Sequence, residues 1–375
     1  MKKEGCFVFL LALTVHCGHA ADNTANAEII ARIFPPTPDP SGIAVNSQNR
    51  VFVGFPRHSD DHNQPVLEEL KNGQLSPYPG VNINKKHEGN FSAWLVSPHG
   101  MWVDKNDTLW VIDDGKMSGN AHIPEGAAKI VGIDTRSNKV THVVNLVKPV
   151  LRDDAHYNDI RVDLKHGQAG TAYISNSGFA QRYSLIVVDI ATGKQREVLV
   201  NHYSTSPDPG YMAFLEYKPH TFDAARQTMP SGGVDGLALG KNDDKLFWTA
   251  LSGRALYSIS TRVVSDFTNS EQAIENSVHF EGQHPPNDGL AEDNQGNIFF
   301  GAYEQQSLVS RSENGKYSLL LHDATNLGWP DGLAFSNNAL YVTLGQWNRT
   351  ADLNQGHDLR QYPYLIMRVR TDAPR

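Results

Sequence analysis

The segment Asp331-Gly332-Leu333-Ala334-Phe335, followed by a turn at Asn337-Asn338 and then by Leu340-Tyr341-Val342, is the clearest copy of a motif that recurs along the chain. Each copy consists of a short apolar strand, a polar turn and a second strand rich in aromatic and β-branched residues. This pattern is typical of paired antiparallel strands. The six copies begin at Gly42, Gly100, Asp159, Gly236, Gly289 and Gly332.

Further strand candidates lie between the copies, at residues 128–134, 185–189 and 255–259. About four strands per copy and six copies predict an all-β fold, a six-bladed β-propeller. An elongated β-solenoid is the alternative, but the copies are irregularly spaced and longer than the coils of a β-helix. The segment 28–34 precedes the first copy and could supply a strand that closes the ring with the last blade.

The first twenty residues resemble an export signal. Lys2 and Lys3 form a short basic start, residues 6–15 form an apolar run too short to span a bilayer, and Gly18-His19-Ala20 offers small residues at a cleavage site. We therefore predict a signal peptide at 1–20, cleavage near Ala20, and a secreted or periplasmic protein. Residues 21–40 form a lead-in, and 41–375 form a single propeller domain.

Charge and cysteine content exclude several classes of protein. The 375 residues carry a formal net charge of -8, which disfavours a nucleic-acid partner because phosphate binding normally needs a basic patch. Both cysteines, Cys6 and Cys17, fall in the predicted signal, so thiol nucleophiles and cysteine-bound zinc are excluded from the mature chain. No later segment is apolar enough for membrane insertion. We expect a monomer that binds a small molecule.

The repeat predicts a ring of polar residues around one mouth of the central channel. Residues just before each first strand occupy equivalent positions around the axis, and the end of each second strand returns to the same face. The first set comprises Ser41, His99, Asn158 with Asp159, Asp235, Asn287 with Asp288, and Asp331. The second set includes Asp113, Asp114, Asn176, Tyr303, Gln346 and Trp347. A concave site with convergent polar groups predicts ligand binding.

Within this ring we predict two groups of functional residues. The candidate catalytic residues are His99, Asp159, Asp235 and Asp288. The candidate ligand-binding residues are Asp113, Asn158, Asn176, Asp331 and Trp347. An Asp before Gly can also have a purely structural role, since its side chain often caps a tight turn. His99 departs from the Asp-Gly pattern, and an imidazole is suited to proton transfer near neutral pH.

Two other segments contain residues that could have a function. His58-Ser59-Asp60-Asp61-His62 contains residues that bind metals, but it lies in a polar loop, and a solvated loop is the favoured interpretation. We therefore predict no metal ligands and no cofactor, while a divalent ion such as Ca²⁺ stays open. The long insertion 202–233 is rich in aromatic residues and proline. It either covers the channel mouth or packs on the side of a blade.

The chain resembles the major royal jelly protein and yellow family over nearly all of its predicted mature length, as a bacterial-type member. The matching stretches include 40–57 (PSGIAVNSQNRVFVGFPR), 158–163, 171–189 (TAYISNSGFAQRYSLIVVD), 234–261 and 331–343. The resemblance implies a secreted six-bladed propeller. It also implies several functions: some yellow-like members are linked to dopachrome conversion, others bind biogenic amines in the channel, and royal jelly members are nutrient or structural proteins.

A looser resemblance is to the gluconolactonase-like propellers, which bind a divalent metal through one Glu, two Asn-type ligands and an Asp. Asn158 and either Asp288 or Asp331 occupy comparable ring positions here. Ser41-Gly42 stands where the Glu would be expected, so metal-assisted lactone hydrolysis lacks its charged ligand.

The leading hypothesis is an exported yellow-like propeller that binds a small polar or cationic molecule in an acidic channel. If it is an enzyme, tautomerase or isomerase chemistry is favoured over lactone hydrolysis. His99 would then move a proton while Asp159, Asp235 or Asp288 orients it. The alternatives are a metal-dependent lactonase or hydrolase and a non-catalytic interaction scaffold.

Overall fold

The computed structural model of the protein describes residues 26–178, 182–221 and 231–372. In these ranges, six four-stranded antiparallel sheets surround a central channel, so the predicted six-bladed β-propeller is confirmed. The innermost strands of the first and last blades contact each other, which closes the ring and excludes an open solenoid. The predicted signal peptide at 1–20 lies outside the described residues.

The strands follow the chain blade by blade. A leading strand, β1, spans Ala27–Ile33. Blade 1 contains β2 (Ile43–Val45), β3 (Val51–Gly54), β4 (Leu67–Lys71) and β5 (Gln74–Pro77), and blade 2 contains β6 (Pro98–Val103), β7 (Thr108–Asp113), β8 (Lys129–Asp134) and β9 (Lys139–Asn145). Blade 3 contains β10 (Tyr157–Asp163), β11 (Thr171–Asn176), β12 (Ser184–Asp189) and β13 (Gln195–Val198).

An inserted hairpin, β14 (Met212–Leu215) and β15 (Lys218–Thr221), precedes the second half of the ring. Blade 4 contains β16 (Val234–Leu239), β17 (Lys245–Ala250), β18 (Ala255–Ser260) and β19 (His279–Gln283). Blade 5 contains β20 (Asn287–Glu292), β21 (Ile298–Ala302), β22 (Ser307–Arg311) and β23 (Tyr317–His322), and blade 6 contains β24 (Pro330–Ser336), β25 (Ala339–Leu344) and β26 (Tyr364–Arg370). In the described part of the chain, short α-helices occupy loops at α1 (Val81–Asn84), α2 (Thr261–Val264) and α3 (Glu271–Glu275).

Blade 6 is built from both ends of the described chain. Strand β1 pairs antiparallel with β26, so the sheet order is β1, β26, β25, β24. The pairing sets Ile33 opposite Tyr364 and Ile29 opposite Met367. Because the N-terminal strand completes the last blade, the two ends of the ring are held by backbone hydrogen bonds rather than by a covalent link.

The glycines of the repeat mark a close approach between neighbouring inner strands. A Cβ added at Gly42 would lie 2.1 Å from the carbonyl oxygen of His99, and one at Gly332 would lie 2.4 Å from that of Ser41. Gly100, Gly236 and Gly289 meet the next blade in the same way. The recurring glycine is therefore required by backbone contact around the axis, in addition to any role in turns.

The core lies between the blades. Every pair of neighbouring blades shares an apolar cluster: Trp110 and Ile186 lie in the one between blades 2 and 3, and Trp248 and Leu185 in the one between blades 3 and 4. Second strands such as β25 are buried along their whole length, which explains their mostly apolar sequence. Among the described residues, no helix is long and apolar enough to cross a membrane.

The insertion places its hairpin beside the channel mouth. The hydroxyl groups of Tyr211 and Tyr303 are hydrogen-bonded to each other at 2.6 Å. Leu215 packs into the apolar cluster that contains Tyr303 and Trp329. The outer face of the hairpin is exposed, since Tyr217 has 88% of its surface accessible. Residues 222–230 of the insertion lie outside the described ranges, so both alternatives, a cover over the channel mouth and packing on the side of a blade, stay open.

Candidate functional site

One mouth of the channel forms a cavity of about 390 Å³. Its lining includes three imidazoles and five carboxyl groups, those of His58, His99, His156, Asp60, Asp235, Asp288, Asp331 and Asp352. The indoles of Trp329 and Trp347 and the guanidinium of Arg360 also line it, together with smaller polar and apolar side chains. Pockets for small organic ligands typically measure about 300–1,000 Å³, so the cavity has the volume of a small-molecule site.

The channel narrows sharply beyond this cavity, to a space of about 30 Å³ between the inner strands. Arg161 of blade 3 reaches past blade 4 to Glu292 of blade 5, with Nε 3.1 Å from the carboxylate, and its Nη1 lies 2.9 Å from Asp159 Oδ1. Asp159 also accepts a hydrogen bond from the backbone N–H of Leu237. The predicted catalytic residue Asp159 is therefore engaged in an ion-pair network beside the narrow channel.

Asp235 and Asp288 form the centre of the acidic wall. Asp235 Oδ2 accepts hydrogen bonds from Asn158 Nδ2 at 3.0 Å and from Ser177 Oγ at 2.8 Å. Asp288 Oδ2 accepts one from Trp329 Nε1 at 2.6 Å. The two carboxyl groups are also hydrogen-bonded to each other. Two carboxyl groups can share a hydrogen bond only if one of them carries a proton.

Burial is the main cause that raises the pKa of Asp235, Asp288 and Asp331. The pKa of Asp288 rises to about 6, and those of Asp235 and Asp331 rise well above their ordinary value. Repulsion from Asp288 adds to the rise at the other two, as expected for like charges in one site. The wall therefore retains protons near neutral pH and carries less negative charge than its number of carboxyl groups suggests.

Trp347 links the acidic wall to the imidazoles. Its Nε1 donates to Asp331 Oδ2 at 2.6 Å, and its ring stacks on His58 with centroids 5.3 Å apart and planes 20° apart. Trp347 lies in a short 3₁₀ turn directly after β25, so blade 6 positions both contacts. The indole can thus act as one face of a ligand site.

The three imidazoles form a compact triangle. Ring centroids are 5.0 Å apart between His58 and His99, 5.0 Å between His58 and His156, and 4.9 Å between His99 and His156. One nitrogen from each ring lies within 4.8 Å of the other two. Burial lowers the pKa of His99 and of His156 to about 3 and that of His58 well below its ordinary value. All three rings are therefore neutral at neutral pH.

Arg57 fixes the backbone next to His58. Its guanidinium is fully buried and donates to five backbone carbonyl oxygens, those of His62, Gln64, Asn84, Leu95 and Val96. Its own backbone N–H donates to Ser97 Oγ, and its carbonyl oxygen accepts from Ser118. Because an arginine fork can hold several carbonyls in fixed directions, the Pro-Arg segment places His58 at the channel mouth.

Two side chains fix His156. Asn176 Oδ1 accepts a hydrogen bond from the backbone N–H of His156 at 3.0 Å. Asp114 Oδ2 lies 3.3 Å from His156 Nδ1, while Asp114 Oδ1 accepts from the backbone N–H of Tyr157 at 2.9 Å. Blades 2 and 3 thus hold this imidazole together.

The structure brings most of the predicted site residues to one cavity and leaves three outside it. The residues brought together are His99, Asn158, Asp235, Asp288, Asp331 and Trp347. The residues outside its lining are Asp113, Asp159 and Asn176. Asp113 is fully buried, accepts from the backbone N–H groups of Val96 and Ser97, and pairs with Lys129 at 2.7 Å. Its position at a strand end was visible in the sequence, but these partners were not.

The favoured interpretation of residues 58–62 as a solvated loop does not hold for His58. His58 lines the cavity and its Nδ1 is buried, whereas His62 turns its Nε2 to the carbonyl oxygen of Phe55. His156 was not predicted either, although it lies close to the ring position at Asn158 and Asp159. The signal in the sequence was its place two residues before Asn158, on the same face of the channel.

The residues present do not fit the metal site of gluconolactonase-like propellers. Ser41 supplies no carboxylate at the first blade, and the side chains of Asn158 and Asp235 are hydrogen-bonded to each other. Asp288 and Asp331 are held by indole N–H groups. The histidine triangle, in contrast, presents three neutral nitrogen donors, a set that suits a transition metal.

A sequence profile described as "Major royal jelly protein" matches residues 96–373. Among named relatives, dopaminechrome tautomerase of Drosophila melanogaster is 26% identical over 185 residues, which cover 48% of this chain and 39% of that protein. Major royal jelly protein 3 of Apis mellifera is 23% identical over 249 residues, covering 63% of this chain and 41% of that protein. The matched part of the chain thus spans less than half the length of each relative.

Solved structures share the architecture. A gluconolactonase from Xanthomonas campestris superposes with a TM-score of 0.50 at 11% identity, covering 92% of this chain and 89% of that one. The calcium-binding protein regucalcin from Agrobacterium tumefaciens also gives a TM-score of 0.50 at 11% identity, covering 91% of this chain and 93% of that one. At such identities the likeness concerns the propeller fold alone.

Proposed function

Since this chain belongs to the major royal jelly protein family, we propose that it is an exported propeller that binds a small polar or cationic molecule at the channel mouth and catalyses a proton shift within it. The reaction class is tautomerisation. Export is part of the proposal because residues 1–20 have the pattern of a signal peptide.

The observation that carries the proposal is the hydrogen-bonded pair Asp235 and Asp288 in the cavity wall. A tautomerisation removes a proton from one atom of the substrate and delivers a proton to another. A pair of carboxyl groups that holds one proton supplies both an acceptor and a donor, and a pKa of about 6 at Asp288 is close to a neutral working pH. The net proton count of the pair is unchanged after one turnover.

The lining favours a flat, polar ligand. The indole of Trp347 offers an aromatic face, and the carboxyl groups of Asp235, Asp288 and Asp331 can accept hydrogen bonds from hydroxyl or ammonium groups. A cationic ligand would also favour ionisation of these groups, which gains attraction in a buried site. The name of the fly relative, dopaminechrome tautomerase, supports oxidised catecholamines as the first substrates to test.

The contacts of the His99 ring do not support its predicted role in proton transfer. Among the described contacts, the His99 ring is hydrogen-bonded to the backbone of Asn158 and lies against His58 and His156, not against Asp235 or Asp288. We therefore assign the proton shift to the carboxyl pair. His99 forms part of the cavity wall.

A ligand and turnover panel tests this proposal. Purified protein is mixed with dopamine, dopaminechrome and a sugar lactone, binding is followed by isothermal titration calorimetry, and products are identified by NMR. We expect dopamine to bind and dopaminechrome to be converted to its dihydroxyindole tautomer faster than in buffer, with no hydrolysis of the lactone. Binding of dopamine without conversion of dopaminechrome would show a binding protein rather than a tautomerase. Hydrolysis of the lactone without conversion of dopaminechrome would contradict the proposed reaction class.

A further inference from the structure

We propose that His58, His99 and His156 bind a divalent transition-metal ion, with Zn²⁺ as the representative ion, at the channel mouth. Three imidazole nitrogens from three separate blades converge on one point, although these residues are far apart in sequence. This site differs in residues and in donor chemistry from the carboxylate and amide set of gluconolactonase-like propellers.

The distances between the rings agree with a shared ion. Zinc–nitrogen bonds are about 2.0–2.1 Å long, so two nitrogens on one ion are separated by about 3–4 Å. The three nitrogens here lie within 4.8 Å of one another without an ion, and a small rotation of the side chains would bring them to that spacing. Centroid distances of 4.9 to 5.0 Å make the triangle nearly equilateral, as a three-histidine site requires.

One polar atom of the cluster has no other partner. His58 Nδ1 is buried, and no hydrogen-bond partner is found for it among the described residues. A buried ring nitrogen without a partner costs free energy unless something binds it. A metal ion between the three rings would satisfy this atom.

Asp114 occupies the position of an outer-shell carboxylate. Its Oδ2 lies 3.3 Å from His156 Nδ1. Metal-binding histidines commonly direct their second nitrogen to a carboxylate, which fixes the ring and strengthens its donor nitrogen. Asp114 is itself held by the backbone N–H of Tyr157, so its position does not depend on the ion.

The chemistry of the donors selects the class of ion. Three imidazole nitrogens suit Zn²⁺, Co²⁺, Ni²⁺ or Cu²⁺, whereas Ca²⁺ and Mg²⁺ prefer oxygen ligands. Since all three rings line the 390 Å³ cavity, an ion there is accessible to a molecule in the cavity. Three protein ligands and an accessible ion are the arrangement of catalytic rather than structural zinc sites.

Metal titration of the tag-free protein tests the proposal. The protein is stripped with a chelator, and Zn²⁺ is added in a calorimeter. We expect one ion per chain and a rise in Tm of about 2–5 °C in excess Zn²⁺. With Co²⁺, we expect the intense visible absorption of a four-coordinate nitrogen site.

Single substitutions locate the ion. We expect His58→Gln, His99→Gln and His156→Gln each to weaken Zn²⁺ binding by at least about 100-fold, and Asp114→Asn to weaken it by about 10- to 100-fold. His122→Gln is the control, because His122 is exposed and outside the cavity. Circular dichroism and Tm of the metal-free variants separate loss of a ligand from loss of the fold.

Two results would overturn the site: less than 0.1 ion per wild-type chain at saturating Zn²⁺, or an equal loss of affinity in His122→Gln and His99→Gln. The outcome is independent of the proposed proton shift by Asp235 and Asp288. If metal-stripped protein still converts dopaminechrome, the metal-site proposal is unaffected. If the protein binds the metal but does not convert dopaminechrome, only the proposed tautomerase activity is contradicted.

Discussion

Trp329 donates its indole N–H to Asp288 over 2.6 Å, and the same carboxyl group is hydrogen-bonded to Asp235. The indole is itself fixed, because it stacks on Tyr303 with centroids 4.8 Å apart and planes 2° apart. One carboxyl of the pair therefore has a fixed neutral donor that stabilises its ionised form, which makes the pair asymmetric.

Replacing this donor should shift the pH dependence of activity. Trp329→Phe keeps the aromatic stacking but removes the N–H group, so the ionised form of Asp288 loses a hydrogen bond and its pKa rises. We expect the limb of the kcat/KM profile that reports the carboxyl pair to move to higher pH by about one unit. Trp94→Phe is the control, because the Trp94 indole donates to the carbonyl oxygen of Gly89, outside the cavity. A limb that stays in place in Trp329→Phe would contradict the role of the pair.

The buried ion pair of Asp113 and Lys129 should matter for stability and not for ligand affinity. The two side chains are 0% and 1% exposed, and removal of one charge leaves the other buried without a partner. We expect Lys129→Met to lower the free energy of unfolding by about 3–5 kcal/mol in urea denaturation. Lys241→Met, which removes an exposed pair with Glu313, should cost less than about 1 kcal/mol. A large loss of ligand affinity in folded Lys129→Met would restore Asp113 as a binding residue.

Glu68 should make the fold less stable as the pH rises. Burial raises the pKa of Glu68 from 4.5 to about 7, so between these values the native state binds more protons than the unfolded state. The free energy of unfolding then falls with rising pH across this window, by up to about 3 kcal/mol. Glu68→Gln removes this slope. We therefore expect the variant to gain stability over wild type from pH 4.5 to 7.5 in urea denaturation.

The neighbouring residue provides a control of opposite sign. Arg50 hydrogen-bonds Glu69 at 2.8 Å and lowers the pKa of that carboxyl group, so its contribution to stability is present above the unfolded pKa and is lost as the pH falls. Glu69→Gln should thus lose stability relative to wild type as the pH rises. If both variants changed in the same direction with pH, the assigned burial effect at Glu68 would be wrong.

The repeat made much of the fold and part of the site predictable. Asp235, Asp288 and Asp331 each precede a repeat glycine, and inner-strand glycines contact the next blade, so the same spacing that predicts six blades also gathers these carboxyl groups. In a structure with symmetry around an axis, equivalent positions of the repeats lie close together, so their proximity can be predicted before any side-chain contact is known.

The residues that the sequence placed wrongly depend on contacts that the repeat does not specify. His58 reaches the mouth from a loop after β3, because Arg57 binds carbonyl groups from three separate segments. Asp113 lies at a strand end, where a ligand-binding residue was expected, but its carboxylate accepts hydrogen bonds from Lys129 and from backbone N–H groups. Such partners come from distant segments, and no local pattern in the sequence encodes them.

The most direct test of the account is the rate of dopaminechrome conversion by Asp288→Asn. The amide keeps the size of the side chain but cannot share a proton with Asp235. We expect kcat/KM to fall by about 100-fold or more while the Kd for dopamine changes less than about 10-fold, with Asp266→Asn, at an exposed turn, unchanged. An Asp288→Asn enzyme that converts dopaminechrome at the wild-type rate would contradict the central claim that this carboxyl pair moves the proton.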